Sequence, residues 1–152
     1  HRETNPRMTK EIHLRQMKGN TLAAKANSNH WVIMDTKNEV GGSEAGSTPK
    51  ELMLMALAGC TSMDVIPILK KKRSPVVAYE CNVKGIEREE HPKIFTEIHI
   101  EYIFYGDGIK AEDVERAIDL SKTKYCSVSA QLAASATITH SFRIEPAAKA
   151  TE

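Results

Sequence analysis

Long apolar runs are missing from these 152 residues. The longest, within residues 48–73, is interrupted by Asp64 and closed by Lys70, Lys71, Lys72 and Arg73, well before the ~20 apolar residues of a membrane span accumulate. Charge of one sign is lacking too. Lysine and arginine total 21 against 20 aspartates and glutamates, mixed along the chain, which argues against nucleic acid or a membrane surface as a partner. Cysteine is scarce. Cys60, Cys81 and Cys126 are too widely spaced for a secreted disulfide framework, so a reducing compartment is expected. No two cysteines stand as C-x-x-C and the six histidines show no paired spacing, which ranks metal binding low. A G-x-S-x-G elbow and the Gly-Lys-Ser/Thr ending of a phosphate loop are also absent. No charged-then-apolar leader opens the chain, so a cytoplasmic location is expected. Residues 1–7 are polar and precede Met8; they are expected to be a tag remnant or a disordered arm. The expectation for 8–146 is one domain, with 147–152 as a polar tail.

What is present is organised around residues 48–73. Thr48, Pro49 and Glu51 form a capping-box start, with threonine as the cap, proline in the first helical position and glutamate reaching back. From Leu52 to Cys60 nearly every residue is apolar or small, which predicts a helix enclosed on all sides. Pro67 removes a backbone donor, so a kink near Asp64 or a break into two helices is expected.

Before this helix, strands are predicted over 9–19, 22–26 and 30–35, with Ile12 and Leu14 sharing a face. A glycine-rich polar loop then covers 36–47. After the helix, Val77, Tyr79, Cys81 and Val83 alternate on one face of a strand, which makes Cys81 a core residue. Ile94, Thr96, Ile98, Ile100, Tyr102 and Phe104 do the same on the next strand, and the two should pair as an antiparallel hairpin. Over 110–125, Val114, Ala117, Ile118 and Ser121 recur at helical spacing behind an acidic first turn. A short helix over 127–134 and a strand over 136–144 complete an α+β chain.

The two cysteines associated with helices have opposite expected electrostatics. Cys126 falls at a helix N-terminus near Lys122 and Lys124, where a thiolate is favoured. Cys60 falls in an apolar helix interior, where it is disfavoured unless a cation or donor reaches the sulfur. A redox pair requires the two within disulfide reach, which their spacing neither forbids nor implies. Spacing alone favours two structural cysteines.

The segment GGSEAGSTPKELMLMALAGCTSMDVIPILKKKR, with the later KYCSVSAQL and a terminal strand, resembles the OsmC/Ohr superfamily, in particular its YhfA-like branch. The resemblance covers the chain from about Met8. It implies an OsmC-like α+β fold, with antiparallel sheets around a long central apolar helix, an intertwined homodimer and active sites at the dimer interface. It also implies a cofactor-free, thiol-dependent peroxidase acting on organic hydroperoxides. In that reading Cys60 is the peroxidatic thiol, Cys126 the resolving thiol, and an external dithiol the reductant. Family members active on organic hydroperoxides also use a sheet arginine held by a glutamate near the helix start. This chain has Lys50 at the glutamate position with Glu51 beside it, and Ser28, Asn29 and His30 at the arginine position. Glu51 and His30 are therefore the candidates for activating groups. Glu51 has the capping box as its alternative role, and His30 that of a strand-edge residue. The alternative function is a dimeric binding protein whose inter-subunit pocket takes a small ligand without turnover.

Overall fold

The computed structural model describes residues 8–151. The chain forms two compact units, His1–Met53 and Leu54–Glu152.

In the first unit, strands β1 (His13–Lys18), β2 (Thr21–Lys25) and β3 (Trp31–Met34) make an antiparallel sheet in chain order. The turns are where the polar and glycine residues predict them, and Gly19 adopts a positive φ of 58° as its turn demands. The predicted apolar face of β1 is not buried. Every residue of that strand is exposed, Leu14 included, and Ile12 lies outside it.

Asp35, at the end of β3, organises the loop that follows. Its buried carboxylate accepts the Thr21 hydroxyl at 2.7 Å, the Thr36 amide at 2.7 Å, and the Ser43 and Ala45 amides at 3.2 Å. The glycine-rich loop thus wraps an anion supplied by the chain itself. Gly42 is required where the loop turns back, because a Cβ there would strike the Thr36 carbonyl.

The Thr21 hydroxyl most of all, then the Thr36, Ala45 and Ser43 amides, hold the Asp35 carboxyl at about 2, against the upward push of burial. The folded value lies below the unfolded one of about 3.9, so this contribution to stability is complete above pH ~4 and is lost as pH falls from there towards 2. Amide exchange at Ser43 and Ala45, followed by NMR across that window, should accelerate with acid in excess of the intrinsic rate. Asp35→Asn should remove that pH dependence.

Helix α1 (Pro49–Lys71) starts in the first unit and continues into the second. The capping box forms as predicted. The Thr48 amide and hydroxyl both donate to Glu51 Oε1, at 2.8 and 2.9 Å, and the Glu51 amide donates back to Thr48 Oγ1 at 3.4 Å. Of the two outcomes expected at Pro67, a kink near Asp64 or a break into two helices, the break does not occur; α1 passes through as one helix, with the proline exposed. Arg73, at φ 55°, ends the helix with its amide on the Lys70 carbonyl and the Ser74 amide on that of Leu69, both 3.0 Å. This is the reciprocal C-terminal pattern usually built on glycine.

With 23 residues, α1 is long and apolar enough to cross a membrane, despite Asp64 and the lysines. Its buried stripe is Leu57, Thr61, Val65 and Leu69, and the three apolar members belong to the core of the second unit. The enclosure on all sides predicted for α1 is not present within one chain. Met53, Met55, Met63 and Ile66 are exposed.

In the second unit β4 (Ala78–Glu87), β5 (Phe95–Tyr105) and β6 (Thr137–Glu145) form the second sheet with β5 central. The β4–β5 hairpin is antiparallel as expected, but β6 runs parallel to β5, so this sheet is mixed. Tyr79, Cys81 and Val83 face inward as predicted, whereas Val77 precedes the strand and is exposed. On β5 the predicted face holds from Ile98 to Phe104. Before that, an irregularity opposite Ile86 and Glu87 shifts the register, so Phe95 is buried and Thr96 exposed. The extra residue of such a bulge reverses side-chain facing.

Phe95 fills the space over Gly85. A Cβ on Gly85 would lie 2.7 Å from the Phe95 ring and 3.1 Å from Leu54 Cδ1. Gly85→Val should therefore cost about 1–3 kcal/mol through overpacking, read as a lower urea midpoint at unchanged m-value.

Helix α2 (Ala111–Leu120) buries Val114, Ala117 and Ile118. It then opens into a π-helical turn, Ser121–Tyr125, leading to Cys126 and the short α3 (Ser127–Leu132). After β6 the expected polar tail forms a 3-10 turn, Ala147–Thr151, whose Lys149 pairs with Glu145 at 3.3 Å.

Candidate thiol site

Helix α1 and the π turn bring Cys60 and Cys126 together. Cys60, half-buried, packs on the apolar cluster of which Cys126 is a buried member, and the two thiols are near enough to influence each other. Sequence spacing could not decide this proximity; the fold creates it.

Cys126 caps α3 as predicted, with the Ser129 amide donating to its sulfur at 3.4 Å. The expected thiolate stabilisation does not follow. Burial pushes the Cys126 thiol up to about 11; Cys60 and Asp64 push the same way, and only the Ser129 amide opposes them. A six-residue helix supplies one amide, and that is less than the desolvation costs. Of the lysines expected to help, Lys124 sits over the Tyr125 ring at 5.2 Å and Lys122 lines a cavity of about 240 Å³ with His140.

Cys81 stands apart in kind. It faces inward on β4, paired across the hairpin with Tyr102, and burial raises its thiol as well. The neighbouring Tyr79 hydroxyl meets Ser62 Oγ at 2.7 Å.

Glu51 and His30 both belong to the first unit. The Glu51 carboxylate is engaged by Thr48, whose amide and hydroxyl lower its pKa. His30 is exposed just ahead of β3, and its Nδ1 is 2.9 Å from the Ser28 carbonyl of its own loop.

Around the sulfur pair the structure adds groups that sequence reading passed over. The Thr61 hydroxyl lies 2.6 Å from that of Tyr102 and 2.8 Å from that of Ser121, and Ser121 donates to Asp64 Oδ2 at 2.9 Å. The available signal was Asp64 itself, a carboxylate inside an apolar helix four residues after Cys60 and so on the same helix face. Among the described residues, no three His, Cys, Asp or Glu side chains are grouped to hold a metal ion.

Residues 41–141 match the OsmC-like protein family. The chain belongs to that family. It is 38% identical to Protein YhfA of Escherichia coli K12 over 134 residues, 88% of this chain and 97% of the relative. A solved hypothetical protein from Aquifex aeolicus superposes with a TM-score of 0.80 at 33% identity, covering 91% of this chain and 97% of its own. An organic hydroperoxide resistance protein from Elizabethkingia anophelis superposes with a TM-score of 0.62 at 13% identity, covering 90% and 96%; at that identity the likeness is one of fold. The mixed α+β architecture is therefore an OsmC-like fold, as the motif around Cys60 implies.

Proposed function

We propose that this OsmC-like protein is a thiol peroxidase that reduces organic hydroperoxides with Cys60 and Cys126. The observation that carries the reading is that the fold packs Cys60 on the cluster that buries Cys126, with the two thiols near enough to interact. The Cys60 thiolate attacks the outer peroxide oxygen. The O–O bond breaks, the alcohol leaves with a proton, and Cys60 becomes a sulfenic acid. The Cys126 sulfur then displaces that oxygen as water, closing a disulfide, and an external dithiol returns both thiols by exchange. No cofactor enters this cycle. The hydroperoxide resistance proteins among the solved relatives of this fold support the reaction class.

A homodimer is part of the reading. Met55, Met63 and Ile66 recur at helical spacing on an exposed face of α1, and a Cβ on Gly59 would meet nothing within 4 Å. Glycine inside a helix costs about 1 kcal/mol relative to alanine, a cost that close approach of a second helix would offset. Leu14, Met17, Trp31, Val32 and Ile33 are exposed in the first unit as well. Uncovered apolar residues on α1 and, separately, on the first sheet mark association surfaces, and a second copy covers them. Met63→Lys with Ile66→Lys should shift the chain from dimer to monomer in sedimentation analysis; an unchanged dimer would place the interface elsewhere.

The site is tested with one equivalent of an alkyl hydroperoxide under native conditions. Two of the three thiols should be lost, and the disulfide should map to Cys60 and Cys126. The raised Cys126 pKa favours a second reading, since a neutral thiol at that position also suits a dimeric binding protein without turnover. In that case all three thiols survive the peroxide.

A further inference from the structure

Thr61, Asp64, Tyr102 and Ser121 adjoin the sulfur pair and take no part in the chemistry above. Ser121 opens the π turn and is fully buried. Its carbonyl accepts the Cys126 amide, five residues on, at 2.8 Å, while its hydroxyl donates to Asp64 at 2.9 Å. Each hydroxyl has one proton to give, so the direction of the chain is forced. With the Ser121 proton on Asp64, Thr61 donates to Ser121 and Tyr102 donates to Thr61. Burial pushes the Tyr102 phenol up to about 12, so it keeps the proton it donates.

Thr61 and Asp64 occupy the turn of α1 that starts at Cys60. One side chain, Ser121, therefore ties the turn that carries Cys126 to the turn that carries Cys60. Apolar packing alone would call for neither a buried alcohol here nor a π turn, a departure from α geometry that concentrates at functional sites.

We propose that Ser121, held by Thr61 and Asp64, is a positioning residue that sets the approach of Cys126 to Cys60 and so governs closure of the disulfide, not the first attack on peroxide. Its place in a reaction rests on the peroxidase reading; the geometry it controls does not.

The test compares Ser121→Ala, Asp64→Ala and Asp64→Asn in the full chain. The asparagine carbonyl still accepts the Ser121 proton, so that variant keeps the bond and loses only the charge. Sulfenic acid on Cys60 is read by dimedone trapping after an alkyl hydroperoxide, and disulfide closure by loss of the second thiol. Diamide, which oxidises a neighbouring dithiol directly, reads closure without peroxide. Ser121→Ala and Asp64→Ala should slow closure by about 10- to 100-fold with both oxidants, leave Cys60 oxidation within about twofold, and be matched by near-normal closure in Asp64→Asn.

Closure at the unsubstituted rate in Ser121→Ala would overturn the proposal. So would equal slowing of both steps, or Asp64→Asn failing together with Asp64→Ala, which would assign the effect to charge. A chain inert to hydroperoxide defeats the peroxidase reading, and the diamide comparison still decides the clamp. Thr61→Val, which removes one of the two bonds to Ser121 at nearly constant shape, serves in the same assays if Ser121→Ala loses its native circular dichroism.

Discussion

Cys60→Ser should reduce hydroperoxide consumption to the uncatalysed background. A serine hydroxyl is neither ionised at neutral pH nor able to accept the peroxide oxygen as a sulfenic acid, so the first step has no substitute nucleophile. The other two cysteines separate the roles. Cys126→Ser should consume about one equivalent and stop, leaving a trappable sulfenic acid on Cys60, because the second sulfur is what closes the disulfide. Cys81→Ser should turn over nearly normally, since Cys81 lies on β4 facing Tyr102 and outside the sulfur pair. The measurement is peroxide loss, with a dithiol in excess for Cys60→Ser and Cys81→Ser and with no added thiol for Cys126→Ser, since a dithiol would itself reduce the sulfenic acid. Turnover surviving in Cys60→Ser would end the peroxidase proposal.

Phe104→Ala should cost about 3–5 kcal/mol, a large share of the roughly 5–15 kcal/mol that holds a domain folded. Phe104 is completely buried on the central strand β5, with its ring 5.3 Å from that of Tyr79 and 6.3 Å from that of Tyr102. Removing it leaves a cavity between two rings that are themselves hydrogen-bonded, Tyr79 to Ser62 and Tyr102 to Thr61, so the walls cannot collapse without breaking those bonds. Phe104→Leu, which keeps most of the volume, should cost under about 1.5 kcal/mol. Val77→Ala, at an exposed position, should stay within about 0.5 kcal/mol. Urea denaturation of the three variants checks the order. A Phe104→Ala midpoint close to that of Val77→Ala would show that the second sheet is not the core that limits stability.

Local rules carried much of the architecture. The Thr48 and Glu51 capping box, the β4–β5 hairpin, the amphipathic α2 and the helix start at Cys126 follow from side-chain spacing and end chemistry, which act over a few residues and are written in the string. Readings failed where neighbours distant in sequence decide. The bulge that exchanges Phe95 for Thr96 depends on Gly85 leaving room for a ring. β6 runs parallel to β5 because α2, the π turn and α3 carry the chain back to the start of β5 before it pairs. Pro67 interrupts no helix because α1 is held by packing on both sides of it, through Val65 and Leu69.

The site divides along the same line. The sequence by itself determined the family, through the motif around Cys60 and the second cysteine ahead of Val128. It also determined that Cys126 begins a helix and that Glu51 closes a cap. Only the tertiary structure decided that Cys60 and Cys126 share one cluster, that burial and not the helix end governs the Cys126 proton, and that Asp64, Thr61 and Ser121 lie beside the pair. The physical reason is that proton affinity is set by the dielectric and charges within a few ångströms of an atom. For a sulfur on the π turn those neighbours come from α1, β5 and α3, and no spacing along the chain encodes their distance.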